Sequence, residues 1–509
     1  MGLLLSSSIW FAYLLISWAT LKIYTTRLRS NNIRRRADLL RKLRRTGKEQ
    51  IIGFFHPYCN AGGGGERVLW TAIAATQRNE PNIVSVIYSG DVDASKEEIL
   101  GKVKSRFAID LDPSRLEFVF LENRRYVEDS SWPYFTLLGQ SLGSMYLAWE
   151  AMTKLIPDLY IDTMGYAFTF QIVGLIAQVP VGAYVHYPTI STEMLARVKS
   201  RKRGHTNADR ISSSAILSRA KLLYYRVFMY YYALSLRKAC FLMVNSSWTK
   251  GHIDAILKHN DPLIDLLHYS SLPLLLMFSF GASIQRQTPS SAQIVYPPCD
   301  TREMVSFALN GREKVILSVA QFRPEKDHAA QLRSFEKLCS VHPQYKGSTI
   351  KLVLVGGCRN EGDEARILSL RALAKELDIQ DQVEFVVNAP YPVMLSWLSK
   401  AHVGLSTMVD EHFGINVVEF MAAGVIPVTH ASGGPLNDIV VPYNGKPTGY
   451  HATDAAGFAD AIHRVFSLSP EDELSLRSRA RAWAVQRFSE DEFERGWNES
   501  GWKIWIKSR

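Results

Sequence analysis

Cysteine is scarce in this chain: Cys59, Cys240, Cys299, Cys339 and Cys358 are the only five, and no two form a C-x-x-C pair. An odd, scattered set excludes a disulfide framework and a zinc site of ordinary spacing, and reads as reduced thiols. The dinucleotide fingerprint is missing too. Counted from Gly62, G-x-G-x-x-G needs glycine at position 67, which is Arg67. An excess of positive charge is absent from most of the chain, although the formal net charge is +10. Between Arg27 and Gln50 ten Lys or Arg stand against Asp38 and Glu49. The remainder is therefore within about two charges of neutral, which removes the case for a nucleic-acid-binding body. Leu3 to Leu21, finally, holds no charged residue.

That charge-free run spans roughly 28 Å as a helix, close to a bilayer's hydrocarbon thickness. Only Met1-Gly2 precede it and the basic stretch follows it, the reverse of a cleaved signal peptide. The positive-inside rule then puts the C-terminal body in the cytosol. The expectation is a single-pass anchor over residues 1–26 and a basic juxtamembrane segment over 27–50.

With 509 residues, 47% hydrophobic and 21% charged, the rest has room for two or three folded domains. Short apolar runs alternate with helical stretches: Ile51–Phe55, Ile83–Tyr88, Leu116–Phe120, Leu159–Asp162, Val181–Val185 and Phe241–Val244. A second series follows at Val315–Val319, Lys351–Gly357, Val383–Val387, Val403–Ser406 and Val425–Thr429. Such alternation predicts α/β architecture with doubly wound parallel sheets. The domains expected are an N-terminal Rossmann-like domain over 51–257 and a C-terminal one over 294–471. Between two such domains lies a cleft where ligands bind. Residues 472–509 read as helices packing across the domain junction, and 258–293 as an inserted segment. Within it, Leu272–Phe280 is long enough to dip into a membrane interface, or forms a local plug. Ile216–Ala239 mixes tyrosines with Arg and Lys, which suits a membrane interface or a core helix with snorkelling ends.

Chemistry gathers at a few loops. Glu411-His412-Phe413-Gly414-Ile415-Asn416-Val417-Val418-Glu419 sets two carboxylates eight positions apart around a turn that opens an apolar helix to Ala423, stopped by Gly424. Backbone N–H groups at Phe413, Gly414 and Ile415 can face a diphosphate. Each Glu can accept hydrogen bonds from sugar or ribose hydroxyls. An ordinary amphipathic helix would read the same way. Arg323 and Lys326 follow the first strand of the second series, where two cations can neutralise a diphosphate leaving group or simply meet solvent. Gly63, Gly64 and Gly65 lie between a strand and a helix, as a phosphate approach or a tight turn. His186-Tyr187-Pro188 ends another strand and is a sugar contact or a structural histidine. Asp91-Val92-Asp93 spells a possible metal motif, but Arg323 and Lys326 can carry the same charge, so no metal is expected.

The Arg323/Lys326 loop with the Glu411–Glu419 pair resembles retaining glycosyltransferases of the GT-B fold. Four longer strings narrow the match: Phe54–Val68, Phe135–Gly143, His186–Ser191 and Tyr296–Asp300. They resemble the GDP-mannose:dolichol-diphosphate-oligosaccharide α-1,2-mannosyltransferase family of N-glycan precursor assembly. The likeness runs from about Ile51 to the C-terminus, Pro262–Pro289 excepted.

The resemblance implies GDP-mannose as donor and a trimannosyl-, then tetramannosyl-chitobiosyl-diphosphodolichol as acceptor at the cytosolic face of the endoplasmic reticulum. It implies the diphosphate on Arg323 and Lys326, the ribose on Glu419, and the mannose near Glu411, which positions rather than attacks. His186 and Tyr187 would serve the acceptor, and Gly63 to Gly65 the donor. No cofactor is implied. Membrane lipids and other mannosyltransferases of the pathway are the candidate partners. The rival readings are a retaining transferase for another lipid acceptor, and an inactive membrane scaffold.

Overall fold

The computed structural model describes residues 2–199, 215–271, 289–347 and 350–507. The chain divides into two compact units, the first of residues 1–244, 250–293 and 497–509, the second of 245–249 and 294–496.

In the first unit, β1 (Gln50–Phe55), β2 (Ile83–Ser89), β3 (Leu116–Phe120), β4 (Leu159–Asp162), β5 (Val181–Val185), β6 (Phe241–Val244) and β7 (Gln293–Ile294) form one sheet in the order β3-β2-β1-β4-β5-β6-β7. Pairing is parallel from β3 through β6. The apolar runs of β1, β2, β4, β5 and β6 are buried on both faces, as a sheet covered by helices requires. Close packing dictates Gly53 in β1, where a Cβ would lie 2.6 Å from the Tyr88 ring and 2.9 Å from Pro157.

The N-terminal helix runs unbroken from Gly2 to Lys42. Among the described residues no helix is long and apolar enough to cross a membrane, so the anchor read from the sequence is not found there. The basic half of this helix is also docked. Arg29 donates to the Ile176 carbonyl at 2.9 Å, Asn32 exchanges hydrogen bonds with Ile156, Arg36 meets Asp158 at 2.6 Å, and Lys42 meets Glu117 at 2.8 Å. Much of the positive charge is thus spent inside the unit, on carbonyls and acids that would otherwise lack partners.

Helix Ala215–Leu236 is exposed in its first turns and buried along one side of its second half. Tyr225, Phe228, Tyr230 and Tyr232 are buried, and the Tyr232 hydroxyl accepts from the Thr189 N–H. Helix Pro262–Ser270 packs beside it through Arg226–Asp261 at 2.8 Å. The apolar run Leu272–Phe280 lies outside the described residues. At the C-terminus, Trp497 and Trp502 are fully buried in the first unit, with Trp497 stacked 6.2 Å from Phe54.

The second unit repeats the plan. β8 (Glu313–Val319), β9 (Lys351–Gly356), β10 (Val383–Val387), β11 (Ala401–Ser406), β12 (Ile426–His430) and β13 (Tyr450–Ala452) pair in parallel in the order β10-β9-β8-β11-β12-β13. Strand order reverses between β8 and β11 here, and between β1 and β4 in the first unit. Ligands of doubly wound sheets bind beyond the carboxyl ends of the strands at such reversals.

Candidate active site

In the second unit, the chain leaving β8 makes a tight turn at Pro324–Lys326, and the chain leaving β11 runs through Thr407 to Glu411. The two meet. Lys326 Nζ donates to Glu411 Oε2 at 2.6 Å, with both side chains largely shielded from solvent. The Thr407 hydroxyl donates to the Asp327 carbonyl at 3.0 Å, tying the two loops together behind the pair. An ammonium has three N–H donors, so the bond to Glu411 leaves capacity for an anion.

Arg323 begins the same turn. Its Nε is buried and makes no hydrogen bond to the described residues, and Glu325 lies 3.9 Å from its Nη1. Burial, then Arg359, lowers its affinity for its proton, but a guanidinium stays charged. His328 stands near Lys326; burial, then that lysine, pushes it down to about 4, so it is neutral at physiological pH.

Gly414 caps the helix Ile415–Ala423 with φ +110, a conformation that favours glycine, and Gly424 ends it at φ +80. Val417 and Val418 N–H already donate to the Gly414 carbonyl. Ile415 and Asn416, one step earlier, are the positions whose N–H groups have no partner within a helix. The Asn416 side chain donates to the Val319 carbonyl at 3.1 Å, fixing this helix start beside the end of β8. Phe413 contributes backbone only, since its ring is buried against Tyr296 and Phe488. Glu419 lies on the helix, half-buried, one turn beyond Ile415.

The sequence reading missed the support under this loop. Gly433 and Gly434 press on it: the Gly434 N–H donates to the Glu411 carbonyl at 2.7 Å, and a Cβ on Gly434 would lie 2.4 Å from the Phe413 carbonyl. The string Ser432-Gly433-Gly434-Pro435 after a strand was the available signal. Pro435–Ile439 is a single π-helical turn, a feature frequent at functional sites. It delivers Asp438, which accepts from the Ser247 N–H and hydroxyl and from the Tyr296 hydroxyl. Trp248 stacks on His412 at 5.3 Å, covering the residue next to Glu411.

The first unit gathers its own residues at the β1/β4 reversal. His56 Nδ1 meets the Thr163 hydroxyl at 2.8 Å, and its Nε2 lies 3.6 Å from Glu66 Oε1. Burial pushes the Glu66 carboxyl up, but the His56 imidazole and the Gly63 N–H outweigh it and hold it below the usual range. The Gly63 N–H donates to the Glu66 carboxylate at the head of helix Gly64–Asn79, so that one donor of the loop is already engaged. Of the four glycines only Gly62 has positive φ, at +83. Gly65 does meet His186: a Cβ there would be 3.5 Å from His186 Nε2. The Tyr187 hydroxyl donates to the Ser191 Oγ at 3.3 Å.

Asp91 also differs from a metal ligand in its surroundings. Its carboxylate accepts from the Asn60 N–H and from the Arg124 guanidinium. Among the described residues no group of three His, Cys, Asp or Glu could hold a metal ion.

Two doubly wound units, with a cation–carboxylate pair at the switch point of the second, resemble the GT-B class of glycosyltransferases. Solved structures agree on the fold. A glycosyltransferase from Rickettsia africae superposes with TM-score 0.56 at 13% identity over 91% of this chain and all of that one. An α,α-trehalose 6-phosphate synthase from Burkholderia multivorans gives 0.59 at 12%, again over 91% of this chain and all of that one. The family model "ALG11 mannosyltransferase N-terminus" matches residues 49–257, and "Glycosyl transferases group 1" matches 300–483. A mouse protein is 45% identical over 455 residues, 88% of this chain and 86% of its own length. A Caenorhabditis elegans protein is 40% identical, over 90% and 92%. Both are named GDP-Man:Man(3)GlcNAc(2)-PP-Dol alpha-1,2-mannosyltransferase, and this chain belongs to that family.

Proposed function

We propose that this chain transfers mannose from GDP-mannose, with retention, to trimannosyl- and then tetramannosyl-chitobiosyl-diphosphodolichol. The products carry the fourth and fifth mannoses, both α-1,2-linked. The observation that carries the reading is 45% identity over 455 residues to a relative of that name, in a chain whose Lys326–Glu411 pair lies where strand order reverses in its second unit.

Chemically, Arg323 and Lys326 hold the donor diphosphate and stabilise the charge that grows on it as the sugar–phosphate bond breaks. Glu411 orients the mannose and the Lys326 ammonium, and Glu419 takes the ribose. The departing phosphate accepts the acceptor's proton on the face it leaves, so no separate base is required. No metal takes part, because two cations already face the diphosphate. His186 and Tyr187 serve the acceptor. The body works at the cytosolic face of the endoplasmic reticulum, attached through the charge-free run Leu3–Leu21, a reading supported by the cations that follow that run. Other mannosyltransferases of the pathway are the protein partners to test.

Incubating purified protein with GDP-mannose and a short-chain trimannosyl-chitobiosyl-diphosphodolichol tests the proposal. The expected product gains two hexoses, both removed by an α-1,2-specific mannosidase. Unextended acceptor from folded protein would overturn it.

A further inference from the structure

The loop between β1 and helix Gly64–Asn79 has its acceptors engaged and keeps donors. Trp70 Nε1 donates to the Cys59 carbonyl at 3.3 Å, Lys102 Nζ to the Asn60 carbonyl at 2.6 Å, and Arg106 Nε to the Gly62 carbonyl at 2.6 Å. The Gly63 carbonyl accepts from the Arg67 N–H at 3.2 Å. Two N–H groups are engaged as well, Asn60 with Asp91 and Gly63 with Glu66. Gly64 and Gly65 are the first two positions of a 16-residue helix, where N–H groups have no intrahelical partner. Gly64 is exposed and Gly65 half-buried. A loop of that polarity suits a phosphate group.

A second observation lies under the loop. His56, the residue after β1, has no exposed surface. Its Nδ1 is fixed by the hydroxyl of Thr163, the residue after β4, at 2.8 Å. Its Nε2 is aimed at the first turn of the helix. Glu66 Oε1 lies 3.6 Å away, beyond hydrogen-bond length, and no other described residue gives that nitrogen a hydrogen bond.

Glu66, 8% exposed, faces His56 with one oxygen and accepts from the Gly63 N–H with the other. A buried imidazole and a buried carboxylate cost free energy that a plain turn does not require. A Ser or Asp at the Gly63 position would cap the helix without either. The carboxylate's charge is directed inward, at His56 and Gly63, which leaves the outer side of the turn to a ligand anion.

We propose that His56 and Glu66 are positioning residues: with Thr163 behind them, they hold the Gly64 and Gly65 N–H groups for a substrate diphosphate. Both substrates of the reaction proposed above, on which this assignment rests, carry one: GDP-mannose and the diphosphodolichol acceptor.

The test compares the native chain with Glu66→Ala, Glu66→Gln and Thr163→Val, the last of which releases the His56 ring without touching the loop. Each is assayed with GDP-mannose and the short-chain diphosphodolichol acceptor. Glu66→Ala should raise KM for one substrate about tenfold or more, the worth of a charge-assisted contact to phosphate, and leave the other unchanged. The substrate affected identifies the diphosphate that the loop takes. Thr163→Val should move the same constant in the same direction. Glu66→Gln, whose amide oxygen still accepts from Gly63, should restore it. A purely structural role lowers kcat through the folded fraction and leaves both KM values as they were. That result, or a loss that Glu66→Gln does not restore, overturns the proposal. Hydrogen exchange needs no transfer: in the native chain, inorganic pyrophosphate should slow exchange over residues 59–68, and in Glu66→Ala it should not. A native loop left unprotected overturns the proposal even where mannose is transferred. Protection in a native chain that transfers nothing supports the loop assignment and overturns the mannosyltransferase reading instead.

Discussion

Replacing Lys326 with alanine lowers kcat/KM for mannose transfer by about 100-fold or more, the scale of losing one preorganised electrostatic stabiliser. Two effects combine. The diphosphate loses a cation as its charge grows, and the Glu411 carboxylate, only 8% exposed, loses its partner. A shielded carboxylate without its cation repels the incoming phosphate. The fold should survive, because the lysine side chain keeps some solvent access and the pair joins loops rather than core. A cost of about 1–3 kcal/mol in stability is expected, visible as a modest fall in Tm. Glu411→Ala should lose activity on the same scale. The double variant should lose much less than the product of the two, since each single change already breaks the pair. Steady-state kinetics on the three proteins check this. Multiplicative losses would mean that the two residues act separately.

Gly433→Ala is the second large effect expected, from a residue that touches no substrate. Its φ of +62 favours glycine, and a Cβ would lie 2.2 Å from the Glu411 carbonyl oxygen and 2.8 Å from the Glu411 nitrogen. Neither neighbour is a flexible side-chain tip, so the 410–413 backbone must move, and the carboxylate moves with it. A displacement near 1 Å of a positioning group costs about 100-fold in turnover. Gly445→Ala is the control. It shares positive φ, at +74, but has open space around the added carbon. It should cost about 1 kcal/mol of stability from left-handed strain alone and leave kcat/KM unchanged. Equal activity losses at both positions would show strain, not loop displacement, as the cause.

Much of the fold was legible because both sheets are parallel and covered. Runs such as Leu159–Asp162 and Val383–Val387 coincide with β4 and β10 residue for residue, since a short strand closed by turns leaves little room for slippage. The helix Ile415–Ala423 was equally plain, with a left-handed glycine at each end. The two-residue β7 and three-residue β13 were not visible, being too short for a periodic pattern. For the N-terminal helix the sequence predicts a membrane anchor that no described helix displays, and it gives no sign that Arg29 satisfies a carbonyl of the body. At the site, the resemblance to GT-B glycosyltransferases grouped Arg323, Lys326 and Glu411. Lys326–Glu411 contact depends on β8 and β11 lying side by side, which strand order decides and no local pattern reveals. The Gly433–Gly434 support was hidden for the same reason. The Gly63–Glu66 bond becomes visible only once Glu66 is seen to fold back on the loop.

The central claim is that the second unit holds a guanosine diphosphate sugar with the chain's own cations. Calorimetric titration of GDP-mannose in the presence of EDTA tests it most directly, on the native chain and on Lys326→Ala, with UDP-glucose as the comparison donor. The account predicts metal-independent binding of GDP-mannose, weaker binding of UDP-glucose, and a loss of about tenfold or more in affinity for GDP-mannose in the variant, the worth of one charge-assisted contact to phosphate. Binding that appears only when a divalent cation is restored, or that Lys326→Ala leaves unchanged, would contradict it.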